Sequence, residues 1–425
     1  MVGEKERVYM TRNATNKLLH NAKKSKSDEF YTQFSDIQKE IEAYLEYNPY
    51  VFRDRIVYCN CDDPFESNFF RYFVLNFERI GLKQLITTSY KPSPVANTQL
   101  ELFGDDKTLT KSKGRPKITA NKFIINEVGD IDGDGEFSLK DVALKLKENK
   151  QNEWTPLDGD GDFRSDESIS LLKQSDIVVT NPPFSLFREY VKQLVDYDKY
   201  FLIIGNMNAI TYKEVFPLIK NNKMWTGSRF NQRVNGKNMT FLVPDDYNLS
   251  GTEVEINSEG KKMISVAGTG WYTNLEHGRR HQPLKLMKME DNIKFSKHKE
   301  IRGKEYKKYD NYDAIEVPFT DAIPSDYEGL MGVPISFLNK YNPEQFEILG
   351  ATQRGCHDDV PDIKKYDDYW EVRQNGQKTG SSGSKTNENA NLVGNDGKKN
   401  YFINKEGRVI QSVYQRIFIR HRRTK

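Results

Sequence analysis

Between residues 35 and 220 the chain alternates two hydrophobic patterns, one at helical spacing and one in short unbroken apolar runs. Ile37, Ile41 and Leu45 recur every four residues, and Ser35 with Gln38 has capping-box spacing, so a helix is predicted from about Ser35. Ile56-Val57-Tyr58-Cys59-Asn60 predicts a buried strand, with a helix behind it carrying Phe69, Phe73, Phe77 and Ile80. Leu85-Ile86-Thr87-Thr88 predicts a second strand. Asp176-Ile177-Val178-Val179-Thr180 predicts a third, followed by a helix whose stripe is Phe187, Tyr190, Val191 and Leu194. Tyr200-Phe201-Leu202-Ile203-Ile204 predicts a fourth, and Thr211 with Glu214 offers a second capping box before Val215, Leu218 and Ile219. Strands and helices in alternation predict an α/β fold with a mostly parallel sheet. Ligands of such sheets bind at the carboxyl ends of the strands, so those loops are where chemistry is sought.

The pattern also divides the chain. Residues 1–34 read as a basic N-terminal arm, and 35–248 as the α/β domain. Residues 92–157, rich in Lys, Asp and Gly, read as an insertion on the sheet. From about 230 the reading is β-rich, with turn signals at Asn235-Gly236 and Glu259-Gly260, and 249–425 forms a second region. Within it, 374–399 is dense in Gly, Ser, Asn and Lys and predicts a flexible loop, whereas Tyr414 to Arg420 returns to strand alternation.

Composition narrows the class. No apolar run is long enough for a membrane span, and the first residues carry no apolar signal segment, so a cytoplasmic protein is expected. Three cysteines in 425 residues suit a reducing compartment, and no second Cys/His pair lies near Cys59 and Cys61 to complete a zinc site. The net charge of +3 hides basic ends: Lys17, Lys23, Lys24 and Lys26 near the start, and Arg416, Arg420, His421, Arg422, Arg423 and Lys425 at the finish. Such ends fit a polyanion partner, and equally a solvated tail.

The sharpest chemical signal is the third strand running straight into Asn181-Pro182-Pro183-Phe184. The prolines lock the backbone and offer no N–H, which leaves carbonyls and the Asn181 amide oxygen as acceptors. Two acceptors beside an aromatic ring suit a planar group with an exocyclic amino group. The same residues also make a rigid turn.

Asn-Pro-Pro-Phe at a strand end is the motif of amino-methyltransferases that use S-adenosylmethionine. Asp28-Glu29-Phe30-Tyr31-Thr32-Gln33 resembles the N-terminal Phe-Tyr/Phe-Thr-Pro motif of the gamma-ordered adenine methyltransferases. Asp63-Pro64, with Ser67-Asn68-Phe69, resembles their cofactor loop, and Asp162-Phe163 resembles the motif that touches the cofactor adenine. Longer strings, among them Tyr58 to Pro64, Gly159 to Ser165 and Ser175 to Tyr190, resemble the EcoRI-type adenine-N6 DNA methyltransferases over most of 11–350. The resemblance implies a Rossmann-like S-adenosylmethionine-dependent sheet with a C-terminal β-rich target-recognition region. It implies methyl transfer to adenine N6 in a short duplex site such as GAATTC, by a monomer paired with a restriction endonuclease. It implies catalysis by Asn181, Pro182, Pro183 and Phe184, and cofactor contacts from Tyr31, Asn60, Asp62, Asp63, Pro64, Asp162 and Phe163. The cofactor loop departs from the wider pattern, because Ser67 and Asn68 replace its glycines. The second strand ends at Ser89-Tyr90 with no acid for the ribose hydroxyls.

Other features point elsewhere. Asp130, Asp132, Asp134 and Asp141 have the spacing of a calcium loop with glycine at its sixth position, and equally of an Asp-Gly turn cluster. Lys113-Gly114-Arg115-Pro116-Lys117 resembles the core of a minor-groove hook, which would add Arg115 to Lys23, Lys24 and Lys26 as DNA contacts, and it also reads as a solvated basic loop. His277, Arg279, Arg280 and His281 are available to read bases. Two rival functions stay open at this point. One is methylation of RNA adenine or protein glutamine, and the other is DNA binding without catalysis.

Overall fold

The computed structural model describes residues 31–61, 67–90, 120–131, 133, 137–148, 151–230, 239–243, 254–257, 260, 262–266, 268–352, 360–361 and 363–422. Packing divides the chain into two compact units, 1–207 with 226–278, and 208–225 with 279–425. The boundary expected at 248 therefore differs from the packing, which places 249–278 with the α/β sheet.

In the first unit a short strand β1 (Tyr31–Thr32) precedes helix α1 (Phe34–Tyr47). Ile37, Ile41 and Tyr44 give α1 its buried face. The helix starts at Phe34 with Gln33 as its cap residue, so Ser35 lies inside the first turn and forms no capping box. Strand β2 (Ile56–Cys59) leads towards α2 (Asn68–Leu75), whose cap is Ser67: its Oγ accepts from the Phe69 and Phe70 amides at 3.1 and 3.2 Å. The turn α3 (Phe77–Ile80) ends at Gly81 in the left-handed region and delivers β3 (Gln84–Thr88).

The segment read as an insertion supplies part of the sheet itself. It holds β4 (Asn121–Ile125), α4 (Leu139–Glu148) and β5 (Glu153–Pro156), and β4 pairs antiparallel with β3. Helix α5 (Asp166–Gln174), capped by Ser165, leads to β6 (Ile177–Thr180), and α6 (Phe187–Asp196) leads to β7 (Tyr200–Asn206). Strands β8 (Trp225–Thr226), β9 (Thr240–Leu242), β10 (Val254–Ile256), β11 (Lys262–Ser265) and β12 (Thr269–Thr273) follow. The main sheet has eight strands in the order β5-β4-β3-β2-β6-β7-β12-β8. Its centre, β3-β2-β6-β7, is parallel, and β4, β5 and β12 add antiparallel flanks. The sheet is thus mixed around a parallel centre. A smaller sheet, β1-β9-β11-β10, joins the end of the arm to the hairpin that turns at Gly260.

Aromatic rings fill the core. Phe69 meets Trp271 edge-on at 6.0 Å, and Phe70 meets Phe123 at 5.6 Å, all four fully or almost fully buried. Rings in this geometry add about 0.5–1.5 kcal/mol per pair to their area burial.

The second unit holds α7 (Phe216–Lys220) and α8 (Met289–Phe295). Pro217 sets the start of α7 at Phe216, so Thr211 falls in a preceding 3-10 turn and its capping box with Glu214 does not form. One sheet has the order β13 (Ala314–Glu316), β14 (Leu330–Pro334), β21 (Arg416–His421), β15 (Phe346–Ala351). The C-terminal strand is therefore central and tied down, as its alternation predicts. A second, antiparallel sheet contains β16 (Trp370–Arg373), β17 (Lys378–Ser382), β18 (Asn391–Val393), β19 (Asn400–Ile403) and β20 (Val409–Ser412). The expected flexible loop at 374–399 is corrected by β17 and β18, which lie within it. Gly376, Gly394 and Gly397 mark turns between strands with positive φ, and Gly380, also at positive φ, lies within β17 where its register with β16 shifts.

Candidate active site

Strands β2 and β6 are neighbours, with Tyr58 opposite Val178, so their carboxyl ends open side by side. The chain runs from β2 outward to β3 on one side and from β6 to β7 on the other. The pair therefore straddles the point where strand order reverses, which is where open α/β sheets bind ligands. Asn60 directly follows β2 and Asn181 directly follows β6, and both are buried.

Continuous burial explains the strand: Ile177 to Thr180 are all buried, as the apolar run requires. The prolines then end it. Pro182 is buried, while Pro183 and Phe184 are half-buried. A 3-10 turn over Phe184–Leu186, closed by the Leu186 amide on the Pro183 carbonyl at 3.0 Å, passes directly into α6. The predicted quartet Asn181, Pro182, Pro183 and Phe184 thus sits together at a strand end.

Asn60 is held from both sides of that quartet. The Thr180 hydroxyl donates to the Asn60 carbonyl, and the Tyr190 hydroxyl on α6 donates to Asn60 Oδ1. The ring of Tyr190 meets Phe163 edge-on at 5.0 Å, and Gln193 Nε2 donates to the Phe163 carbonyl at 3.0 Å. Asn60 and Phe163, predicted from distant motifs, are therefore joined through one face of α6.

The acidic loop before α5 lies against the end of β3. Gly161 has φ +79°, and a Cβ there would stand 2.0 Å from the Ser89 carbonyl oxygen, so only glycine allows the approach. Asp162 accepts from Arg164 Nε at 3.0 Å and Nη2 at 2.7 Å. These bonds hold its carboxyl below the usual carboxylate range and keep it ionised near neutral pH. Ser89, where no acid was found, accepts from the Asn121 amide at 2.8 Å and so closes the β3–β4 pairing.

The β1 strand reaches the same region. Asn68 Nδ2 donates to the Thr32 carbonyl at 2.8 Å, so the residue that replaces a glycine ties the arm to the start of α2. Tyr31 is placed by its backbone in β1. Asp62, Asp63, Pro64, Lys23, Lys24, Lys26, Arg115, Asp132 and Asp134 lie outside the described residues. Asp141 is fully buried, and its carboxylate accepts from the Ile131 amide and from the Ser138 amide and hydroxyl at 2.8–2.9 Å. Asp130 accepts from the Gly133 amide at 2.8 Å. Among the described residues no group of three or more His, Cys, Asp or Glu side chains could hold a metal ion.

The residues offered for base reading have structural partners; His281 Nδ1 bonds Glu344 Oε1 at 2.9 Å. His277 Nε2 bonds the Thr226 carbonyl at 3.0 Å. Arg280 stacks 3.8 Å above the Trp225 ring and donates to Asn222 at 2.8 Å. The periodicity placed Tyr190 on a core stripe and passed over its hydroxyl; a buried tyrosine's need for a hydrogen-bond partner was the available signal.

The family model described as adenine-specific methyltransferase EcoRI matches residues 18–422. The Type II methyltransferase M.EcoRI of Escherichia coli is 48% identical over 340 residues, which cover 80% of this chain and 90% of that protein. The Type II methyltransferase M.MpnI of Mycoplasma pneumoniae is 33% identical over 362 residues, covering 81% and 93%. M.MgeORF184P of Mycoplasma genitalium is 37% identical over 332 residues, covering 78% and 84%. No solved structure matches.

Proposed function

The chain belongs to the EcoRI family of adenine-specific methyltransferases, and on that premise we propose which of its residues carry the transfer and where it acts. It is an adenine-specific DNA methyltransferase of the Type II restriction–modification kind. The observation that carries the assignment of residues is the position of Asn60 and Asn181, each just past the carboxyl end of one of two adjoining parallel strands.

Asn181 Oδ1 and the Pro182 carbonyl accept the two hydrogens of adenine N6. Acceptance there favours a more tetrahedral nitrogen as positive charge develops on it. Adenine N6 is otherwise a poor nucleophile, because its lone pair is delocalised into the ring. The base must leave the helix stack to reach these acceptors, at a cost of a few kcal/mol. Stacking on Phe184 recovers about 1–3 kcal/mol of that. Pro183 stiffens the loop so that the acceptors need no ordering during the reaction.

The residues around β2 fit S-adenosylmethionine. An amide at Asn60, an ionised acid at Asp162 and the close approach at Gly161 form a polar cradle for a nucleoside that also bears an amino-acid end. When bound, S-adenosylmethionine supplies a sulfonium methyl that is already electrophilic. Asn60, Asp162 and Phe163 would hold it, with Tyr31, Asp62, Asp63 and Pro64 from the neighbouring segments. Lys23, Lys24, Lys26 and Arg115 would contact phosphates or the minor groove. We assign GAATTC as the target, a monomer as the acting form, and the cytoplasm, beside a cognate endonuclease, as the place. Among the described residues no helix is long and apolar enough to cross a membrane.

The test is protection. A duplex containing GAATTC, incubated with the protein and S-adenosylmethionine, becomes resistant to an endonuclease that cuts GAATTC. Methylated adenine confined to another sequence would discard this target and keep the chemistry. Calcium in the 130–141 loop is a separate proposal, because Asp141 already organises that loop. A thermal shift on adding calcium supports it, and no shift retires it.

A further inference from the structure

The helix that leaves the catalytic loop turns back onto the neighbouring strand end. Thr180, just ahead of Asn181, grips the Asn60 carbonyl, and Tyr190 grips the Asn60 side chain. Tyr190 is fully buried, and burial pushes its hydroxyl well above the ordinary tyrosine range, so it keeps its proton and donates. With Oδ1 engaged, the Asn60 amide has one orientation. Its Nδ2 group donates to nothing among the described residues, although Asn60 is only 4% exposed. An amide donor held in one orientation at a strand end can serve an incoming acceptor.

We propose that Tyr190 is a positioning residue for methyl transfer: it orients the Asn60 amide so that Nδ2 donates to an acceptor atom of S-adenosylmethionine. This rests on the cofactor site proposed at Asn60. The same helix face serves Phe163, through the Tyr190 ring and the Gln193 amide, so one rigid element sets both walls relative to Asn181. Without the hydroxyl, the amide is free to turn its oxygen outward, and an outward oxygen repels the acceptor it should bind.

The experiment compares Y190F, N60A, N60D and the double variant Y190F/N60A in the full chain. Readouts are calorimetric binding of S-adenosylmethionine, steady-state kinetics and the melting temperature. Y190F keeps the ring contact with Phe163. It is expected to raise the Kd and KM for S-adenosylmethionine about tenfold, the loss of one oriented hydrogen bond, with a much smaller change in kcat. A purely structural role would lower the melting temperature and the active fraction without moving KM. Because Tyr190 acts through Asn60, the double variant should bind no more weakly than N60A alone; multiplied effects would overturn the proposal. N60D retains an acceptor for Tyr190 but has no donor, and should weaken binding more than Y190F does. Weak binding by N60A and N60D with normal binding by Y190F leaves the cofactor site standing and removes the role of Tyr190. Normal binding by N60D overturns the cofactor site and this proposal with it. Y190M, which fills the space without a hydroxyl, carries the same expectations should Y190F not fold.

Discussion

Each of the two units buries a cluster of polar side chains, and the clusters serve opposite ends. In the second unit Arg416 donates to Glu316 through Nη2 at 2.6 Å and Nε at 3.0 Å, and the Tyr309 hydroxyl donates to the same carboxylate. The Tyr309 ring lies where a Cβ on Gly332 would come within 2.3 Å of its hydroxyl, so the cluster is packed into the β14 backbone. Its charges satisfy one another. In the first unit Thr180, Tyr190 and Asn60 form a chain that ends on an amide donor at a strand end, next to Asn181. A cluster closed on itself fixes a fold; one that leaves a donor unused is, on the proposal above, what fixes a site.

The comparison breaks most sharply through substitution at the two ends. On the proposed role, N181A removes an acceptor aimed at developing charge, so kcat should fall roughly 10²–10³-fold or more. Melting temperature and S-adenosylmethionine affinity should stay near wild type. Retained turnover in a purified, folded N181A would refute the role of that amide. R416M is the converse. It leaves Glu316 buried without its cation, held only by the Tyr309 hydroxyl, and should cost about 3–5 kcal/mol in urea titration, with little change in kcat for the folded fraction.

Glu40 sharpens the contrast, because it is a closed cluster inside the first unit. It is fully buried and accepts from the Ser228 and Arg229 amides at 2.7 and 2.8 Å and from the Tyr44 hydroxyl at 3.0 Å. Burial raises its carboxyl from 4.5 to about 7. Within that window the folded protein holds a proton that the unfolded chain has lost, so this group's stabilising contribution declines as pH rises through it. E40Q should flatten the dependence by up to about 1.4 kcal/mol per pH unit, read from denaturant midpoints across the window. Identical slopes in E40Q and wild type would contradict the assignment. The smallest effect belongs to the exposed pair Lys192–Asp196 on α6. K192A should change stability by no more than about 0.5 kcal/mol, and a larger loss would mean that α6 depends on its surface.

Much of the centre of the fold was legible. Strands β2, β3, β6 and β7 are continuous apolar runs, and burial on both faces leaves that mark in any parallel centre. The flanks were harder to read. β4 and β5 are short and follow polar stretches; β4 owes its place to pairing with β3 far away in sequence, and β5 to pairing with β4. β17 pairs with β16 just across the Gly376 turn, in a hairpin hidden by its polar composition, while β18 pairs with the later strand β20. Both capping boxes failed because neighbouring residues, Gln33 and Pro217, set the helix starts first. At the site, Asn181 to Phe184 stood out because their chemistry is local. Tyr190 did not, because its part depends on Asn60 across two strands.

The most direct measurement incubates unmethylated bacterial-virus DNA with the protein and methyl-labelled S-adenosylmethionine, then digests the DNA to nucleosides. All label should appear in N6-methyladenine, with initial incorporation by N181A lower by roughly 10²–10³-fold or more. Label in cytosine derivatives, or none in DNA while the cofactor still binds, would contradict an acceptor pair at Asn181 and Pro182 built for adenine N6.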